Sequence, residues 1–459
     1  MKTDNTELFE KMPVSKSVIT LIIPTVISQI ITVIYNMADT FFIGQMNDPH
    51  RVAAATLIMP PFIMLTGIAN LFGIGGSSLI SRSLGVGDTE KAKKCAAFSI
   101  WTSAAVALAY GLLIYFLRPV IFPFLGADGN TFGYCADYVL WTIGVGSVPT
   151  VLNACLAHLV RAEGYSKESS FGVALGGVLN IILDPIFMFP LRMGLIGAAV
   201  ATMLSNVIAT LYFIILLHKN REKTVIKFSL RNYSLKRGIP KEILLVGFPS
   251  FVMNLMSIVS NTVLNKMVVS YSNQAIAGMG IAKKIDMLAF AIANGMTQGV
   301  LPLIGYNYAA KNHSRMRATI KTSFVYSIAV AFVGAVLLFT CAVPVMRFFI
   351  DDSETVAYGQ NFLRIICTTC PAITVTMMIV TIFQATGQKV KPMILSLLRK
   401  GCVDIPFMII MDAIAGANGI PWATPISDII AMSIAIILFI PYWKKVNKTI
   451  LNSFKTVEI

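Results

Sequence analysis

The sequence is built from runs of apolar residues, each about as long as a bilayer is thick, recurring from one end of the chain to the other. A helix needs roughly 20 mostly apolar residues to cross the hydrocarbon of a membrane. Twelve segments meet that length: 17–43, 52–80, 95–117, 135–160, 169–190, 195–217, 242–270, 276–305, 320–345, 360–385, 393–414 and 420–443. Of 459 residues, 56% are hydrophobic and 13% charged, whereas a soluble domain carries about a quarter charged residues. This excludes a soluble enzyme, a disulfide scaffold and a disordered tail. The seven cysteines (Cys95, Cys135, Cys155, Cys341, Cys367, Cys370, Cys402) are odd in number and mostly inside apolar runs, which is no disulfide framework. The first run is too long for a signal peptide and no small-residue cleavage site follows it, so it is expected to remain as a span. The expected fold is an all-α integral membrane protein of twelve transmembrane helices.

Lysine and arginine set the orientation. Of 37 such residues, 27 lie on one side of the predicted spans and four (Arg51, Arg118, Arg192, Arg347) on the other. Basic residues accumulate in cytoplasmic loops, so both termini are expected in the cytoplasm. The formal net charge of +15 follows from those loops and does not point to nucleic acid. The most basic segment, about 218–241, falls at the midpoint and reads as a topogenic cytoplasmic linker near anionic lipid.

The two halves repeat. Shifting the chain by 222–225 positions puts Pro24 on Pro249, Leu84-Gly85 on Tyr306-Asn307, and Arg161-Ala162-Glu163-Gly164 on Gln384-Ala385-Thr386-Gly387. Gly197 through Thr202 fall on Gly419 through Thr424. Six spans per repeat give both halves the same orientation, so two six-helix lobes (1–225, with a preceding cytoplasmic tail, and 226–459) are expected about a pseudo-twofold axis along the membrane normal.

Polar residues inside the runs then mark where function lies, because they are expensive in hydrocarbon. Gln29, Thr32, Asn36 and Asp39 share one helix face in the first span, and Ser250, Asn254, Ser257 and Asn261 repeat the stripe in the seventh. Together they describe an aqueous substrate cavity, to which Tyr35, Asn153 and Asp286 are added as candidates. The acids are unequally shared: within the same range of shifts Asp39 meets Leu264 (225) and Asp184 meets Phe407 (223). Asn180 and Asp184 stand one turn apart in the fifth span, and Pro185 cannot donate to the carbonyl of Ile181, so a kink and a free oxygen are expected there. With Asp39, and with the Thr202 hydroxyl from the sixth span, these oxygens suit a proton or a monovalent cation.

Other charges are less telling. Lys283 and Lys284 with Asp286 at i, i+3, and Asp404 with Arg399 or Lys400, read as local ion pairs. Asp428 has no local partner, and the 23 methionines read mainly as core filling. Gly85-Val86-Gly87-Asp88 has the form of an intramembrane protease motif but lies in a basic loop. Cys367 and Cys370 sit in an apolar helix, and the four histidines are too far apart in sequence for a zinc site. There is no Walker A sequence, so direct drive by ATP is not expected.

Tyr35-Asn36-Met37-Ala38-Asp39-Thr40-Phe41-Phe42-Ile43-Gly44, Arg161-Ala162-Glu163-Gly164, Asn180-Ile181-Ile182-Leu183-Asp184-Pro185 and Gly197-Ala198-Ala199-Val200-Ala201-Thr202 resemble the multidrug and toxic compound extrusion (MATE) family, in its MepA-like bacterial branch. The resemblance covers nearly the whole chain. It implies a monomeric, two-lobe exporter in the cell membrane that exchanges lipophilic cationic drugs or toxic metabolites for protons or sodium ions, with no cofactor and no enzymatic activity. It implies an N-lobe coupling-ion site at Asp39, Asn180, Asp184 and Thr202. A second branch of the family uses acids in the seventh and tenth spans, where this sequence has Asn254, Ser257, Asn261, Thr374 and Thr376. Two alternatives stay open at this point: a flippase for lipid-linked saccharides from the same superfamily, and a membrane-embedded enzyme.

Overall fold

A computed structural model describes residues 6–46, 48–236, 238–268 and 271–455. Among them the regular structure is helical throughout. Among the described residues, nine helices are long and apolar enough to cross a membrane on their own. The first three run Val14–Gly44, Pro49–Gly85 and Thr89–Phe116, and the fifth and sixth Ser166–Met188 and Leu195–Lys219. In the second half the seventh to ninth are Ile239–Val268, Asn273–Ala309 and His313–Thr340, and the twelfth includes Ala423–Lys455. The fourth and tenth spans are bent pairs, Phe132–Val145 with Ser147–Ala162 (47°) and Ser353–Cys367 with Cys370–Ala385 (42°). The eleventh is interrupted: α-helix Val390–Leu397, a π turn Leu398–Val403, then α-helix Asp404–Ala415. Arg399, Lys400 and Asp404 sit at that break. Among the described residues helices cover all twelve expected segments, and most ends move by a few residues, but the ninth and tenth begin seven residues earlier and the last helix runs on to Lys455 instead of 443.

The repeat recurs in backbone detail. Gly87 (φ 80°) precedes the third span and Lys311 (φ 58°) the ninth, at a shift of 224. The next residues are matching N-caps: the Lys91 amide donates to Asp88 Oδ1 at 2.8 Å and the Arg315 amide to Asn312 Oδ1 at 3.1 Å. A side-chain oxygen there satisfies an amide left free by the first helical turn. Gly164 (φ 93°) and Gly387 (φ 74°) close the fourth and tenth spans in the same left-handed conformation, which glycine adopts without strain.

The molecule forms two compact units. The N-terminal unit contains Ile27–Asn254 with the residues up to Leu8, and the C-terminal unit contains Phe9–Val26 with the chain from Leu255 onward. Each unit thus includes the first stretch of the other repeat's leading span, and glycines make room for it. In the N-terminal unit, Gly75 of the second span lies against the backbone of Ile243, and Gly247 against that of Leu71. In the C-terminal unit, a Cβ on Gly299 would stand 3.0 Å from the Leu21 oxygen, and one on Gly295 would stand 2.7 Å from Val26 Cα. Gly75 and Gly299 are 224 residues apart, so this notch too is repeated. Close approach through small residues is how helices pack where no hydrophobic effect drives them together.

Within the N-terminal unit the linker is tied down by Glu163, which follows the fourth span and is fully buried. Thr224 Oγ1 donates to its Oε2 and the Val225 amide to its Oε1, both at 2.6 Å. Burial pushes this carboxyl up to about 7, although both donors favour the ionised form. Its folded-state value therefore lies above the usual roughly 4.3. The contribution to stability is fully present below that ordinary value and is lost as pH rises through about 7. Melting temperature should fall between roughly pH 5 and 8, on the order of a few degrees, and Glu163→Gln should flatten that dependence. A thermal melt series on both proteins checks it.

Candidate functional site

Asn180, on the fifth span, is the hub of a buried polar cluster in the N-terminal unit. Its Nδ2 donates to Asp184 Oδ1 at 3.0 Å and to Thr202 Oγ1 at 3.1 Å. The first contact follows from helical spacing, since residues four apart share a face. The second follows from the tight hairpin of the fifth and sixth spans. Gly197 lies against the backbone of Phe187, where a Cβ would be 2.7 Å from its carbonyl carbon. The fifth-span helix is continuous through Pro185, up to Met188. The carbonyl of Ile181 lacks the amide partner that any residue but proline would give it.

The first span reaches the cluster through a glycine pair. A Cβ on Gly177 would stand 2.9 Å from Ile31 Cγ2 and 3.1 Å from Tyr35 Cδ1. That approach brings Asp39, 7% exposed, near enough to Asp184 for their charges to interact. Tyr35 and Tyr138 lie within electrostatic reach of both carboxyls. Asp39 Oδ1, Asn180 Oδ1 and Asp184 Oδ2 are buried without a hydrogen-bond partner among the described residues. A native interior rarely tolerates buried polar atoms of this kind without a reason. Here three oxygens, all of them acceptors, are left open around two carboxyl groups. The donor set is oxygen only and carries negative charge, which suits a proton or a hard monovalent cation.

The cluster extends toward the fourth span. Asn206, one turn beyond Thr202, donates to the Thr202 carbonyl at 2.9 Å, and its Oδ1 accepts from Asn153 Nδ2 at 3.1 Å. The four residues expected to form the ion site are thus gathered together, and Asn153 joins them at one remove. Sequence reasoning missed Tyr138 and Asn206. Helical spacing from Thr202 would have found Asn206. Nothing local marks Tyr138, which precedes the π turn Leu140–Val145.

The stripe residues are less concentrated. Gln29, Thr32, Tyr35, Asn36 and Asn254 are half-buried in the N-terminal unit. Their donors largely bond back along their own helices: Thr32 Oγ1 to the Ser28 carbonyl, Asn36 Nδ2 to that of Thr32, Asn254 Nδ2 to that of Ser250. Ser257 is half-buried and Asn261 exposed in the C-terminal unit. Asp286, half-buried there, lines a small cavity with Thr369, Arg399 and Asp428.

Of the two local ion pairs expected from the sequence, one needs correcting and the other resolves to one of its two alternatives. Lys283 and Asp286 make no ion pair among the described residues. Asp404 takes Lys400 (3.3 Å) and not Arg399, whose Nε bonds Asp428 Oδ1 at 2.8 Å. The π turn rotates Arg399 away from Asp404, and the twelfth span supplies the partner that local spacing could not reveal.

The MatE family model matches residues 24–186 and again 249–410. The chain belongs to the MatE family. Its double match is the internal repeat seen from outside. The multidrug export protein MepA of Staphylococcus saprophyticus is 33% identical over 438 residues, covering 95% of this chain and 96% of that protein. MepA of Staphylococcus aureus is 32% identical over 439 residues, with the same coverage of each. Among solved structures, an outward-facing multidrug resistance MATE transporter superimposes with a TM-score of 0.89 at 25% identity, covering 98% of this chain and all of that one. The twelve-helix, multi-pass membrane fold expected from the sequence is therefore the fold of the MatE family.

Proposed function

We propose that this MatE chain is a secondary multidrug exporter of the plasma membrane that moves lipophilic cations outward in exchange for protons or sodium ions. The observation that carries the reading is the buried cluster around Asn180, with two carboxyls and three oxygens free of partners. In this reading an ion from outside binds among Asp39, Asn180, Asp184 and Thr202. It neutralises buried charge, shifts the equilibrium between outward and inward states, and loosens the hold on a cationic drug. Two cations drawn to the same negative charge are reciprocally linked, and such coupling amounts to about 1–3 kcal/mol. Half-buried Tyr35 and the neighbouring Tyr138 add aromatic surface suited to bulky cations. The names of the staphylococcal relatives support the substrate class.

The test is efflux of a fluorescent cation from vesicles under separately imposed proton and sodium gradients. Efflux driven by one gradient and collapsed by its ionophore is the expected result. Binding of anionic lipid-linked sugars with no response to ethidium-like cations would replace this reading with a flippase.

Orientation has its own test. With Cys341 and Cys402, the exposed native cysteines among the described residues, replaced, a cysteine at exposed Leu230 should resist an impermeant thiol reagent applied from outside. A cysteine at Asn130 should react. The reverse pattern would invert the topology.

A further inference from the structure

The C-terminal unit contains a polar cluster that the exported cation and the coupling ion leave unexplained. Asp404 is fully buried. Its Oδ2 accepts from Ser260 Oγ at 2.6 Å and from Lys400 Nζ at 3.3 Å, while its Oδ1 has no partner among the described residues. The repeat relates these positions to residues in and beside the N-terminal cluster. At a shift of 224, Asn180 falls on Asp404, Asn36 on Ser260 and Asp184 on Met408, one residue beyond the Phe407 match at 223, and at 222 Thr202 falls on Thr424. A carboxyl on the fifth span of the repeat, beside a polar residue of the first, is thus present in both units. What differs is the cation. Asp39 and Asp184 make no ion pair among the described residues, whereas Asp404 has an ammonium built into its own helix, placed by the π turn.

Both buried carboxyls near the break are met by cations of the eleventh span. Lys283 lies within electrostatic reach of Lys400, Asp286, Asp404 and Asp428. Asp428 is held by Arg399 at 2.8 Å and by the Thr369 hydroxyl at 3.4 Å, and the Arg399 guanidinium lies over the Phe290 ring. Asp404 is paired with Lys400 and Asp428 with Arg399. A buried carboxylate is tolerated only when its charge is compensated, and here the compensation is covalently attached.

We propose that Lys400 is a tethered counter-ion that fills, in the C-terminal unit, the place an exchanged ion takes in the N-terminal unit. The C-terminal unit then passes through transport already neutral, and the chain has one ion-exchanging site where its repeat would otherwise build two. This rests on the reading of the N-terminal cluster as the ion site. A corollary separates the two claims. Without Lys400 the buried Asp404 loses the cation paired with it, and it becomes a site for a monovalent cation, either a proton or sodium.

The experiment uses purified full-length protein carrying Asp39→Asn and Asp184→Asn, so that uptake by the N-terminal cluster is removed. Radiolabelled sodium binding at fixed pH and proton uptake in weakly buffered solution distinguish the two ions. The parent should take up neither. Adding Lys400→Met should restore uptake of about one monovalent cation per chain, Lys400→Arg should not, and Asp404→Asn on top of Lys400→Met should abolish it. A folded Lys400→Met chain that takes up neither ion overturns the proposal. If the parent itself binds at the native level, the N-terminal reading fails, and the increment on removing Lys400 still decides this one. Loss of the parent's binding on Asp404→Asn with Lys400 in place would overturn both. Should Lys400→Met and Lys400→Gln fail to fold, the native chain decides. A carbodiimide, which modifies protonated carboxyls in apolar surroundings, should spare Asp404, and labelling of Asp404 would overturn the proposal.

Discussion

Asp184→Asn is expected to abolish ion-driven efflux while leaving a folded, membrane-inserted protein. Asp184 is fully buried, its Oδ1 already accepts from Asn180, and its Oδ2 has no partner among the described residues. Asparagine keeps the shape and the accepting oxygen and removes a charge that has no ion pair. Taking an uncompensated charge out of an interior is neutral or favourable for stability, so the melting temperature should hold or rise. Transport should not survive, because the ion would lose the charge that draws it in. A coupling of about 1–3 kcal/mol corresponds to a 5–150-fold effect, and gradient-driven efflux should fall by at least the lower figure. Asp39→Asn should behave alike, whereas Asp404→Asn and Asp286→Asn should change coupling less. Efflux in vesicles under an imposed gradient, set beside a thermal melt, reads both quantities. If both N-terminal variants pumped at native rates while Asp286→Asn failed, the coupling site would lie in the C-terminal unit.

How far the sequence reveals this site depends on whether its parts are local. Asn180 and Asp184 are one helical turn apart, so their contact is legible from spacing alone. Asp39 is legible from the polar stripe of the first span and from the repeat, where the second half has an apolar residue in its place, whereas Thr202, matched by Thr424, is set apart by nothing local. The spans themselves are plain, because a bilayer imposes one length on every crossing. Breaks inside spans are another matter. The π turns at Leu140–Val145 and Leu398–Val403 and the bend in the fourth span leave no mark in an apolar run, yet they set the direction of Tyr138, Arg399 and Lys400. Helical spacing therefore pairs Lys400 with Asp404 at i, i+4 correctly, gives no hint of Arg399 with Asp428, and proposes Lys283 with Asp286 at i, i+3, where no pair forms among the described residues. Tertiary neighbours decide such choices, and π turns tend to occur where function needs a side chain re-aimed.

The glycine notch gives the second large expected effect, on folding and not on chemistry. Gly75 and Gly247 meet across the second and seventh spans so closely that a Cβ on either would overlap a backbone carbonyl, of Ile243 and of Leu71 respectively. A side chain can rotate out of the way of a methyl group, but a helix backbone cannot, so relief requires the two helices to separate. Overpacking a core typically costs about 1–3 kcal/mol, more where the backbone must move. Gly75→Val and Gly247→Val should therefore yield little monodisperse protein. The equivalent notch in the C-terminal unit is looser, since a Cβ on Gly299 would stand 3.0 Å from the Leu21 oxygen and 3.1 Å from Ile22 Cα. Gly299→Ala should fold with a lowered melting temperature, by a few degrees at most. The ordering matters more than the absolute loss: detergent-solubilised yield and melting temperature should fall much further for Gly75→Val than for Gly299→Val. Equal tolerance at the two notches would mean that the first stretch of the seventh span does not rest on the second span as closely as this packing requires.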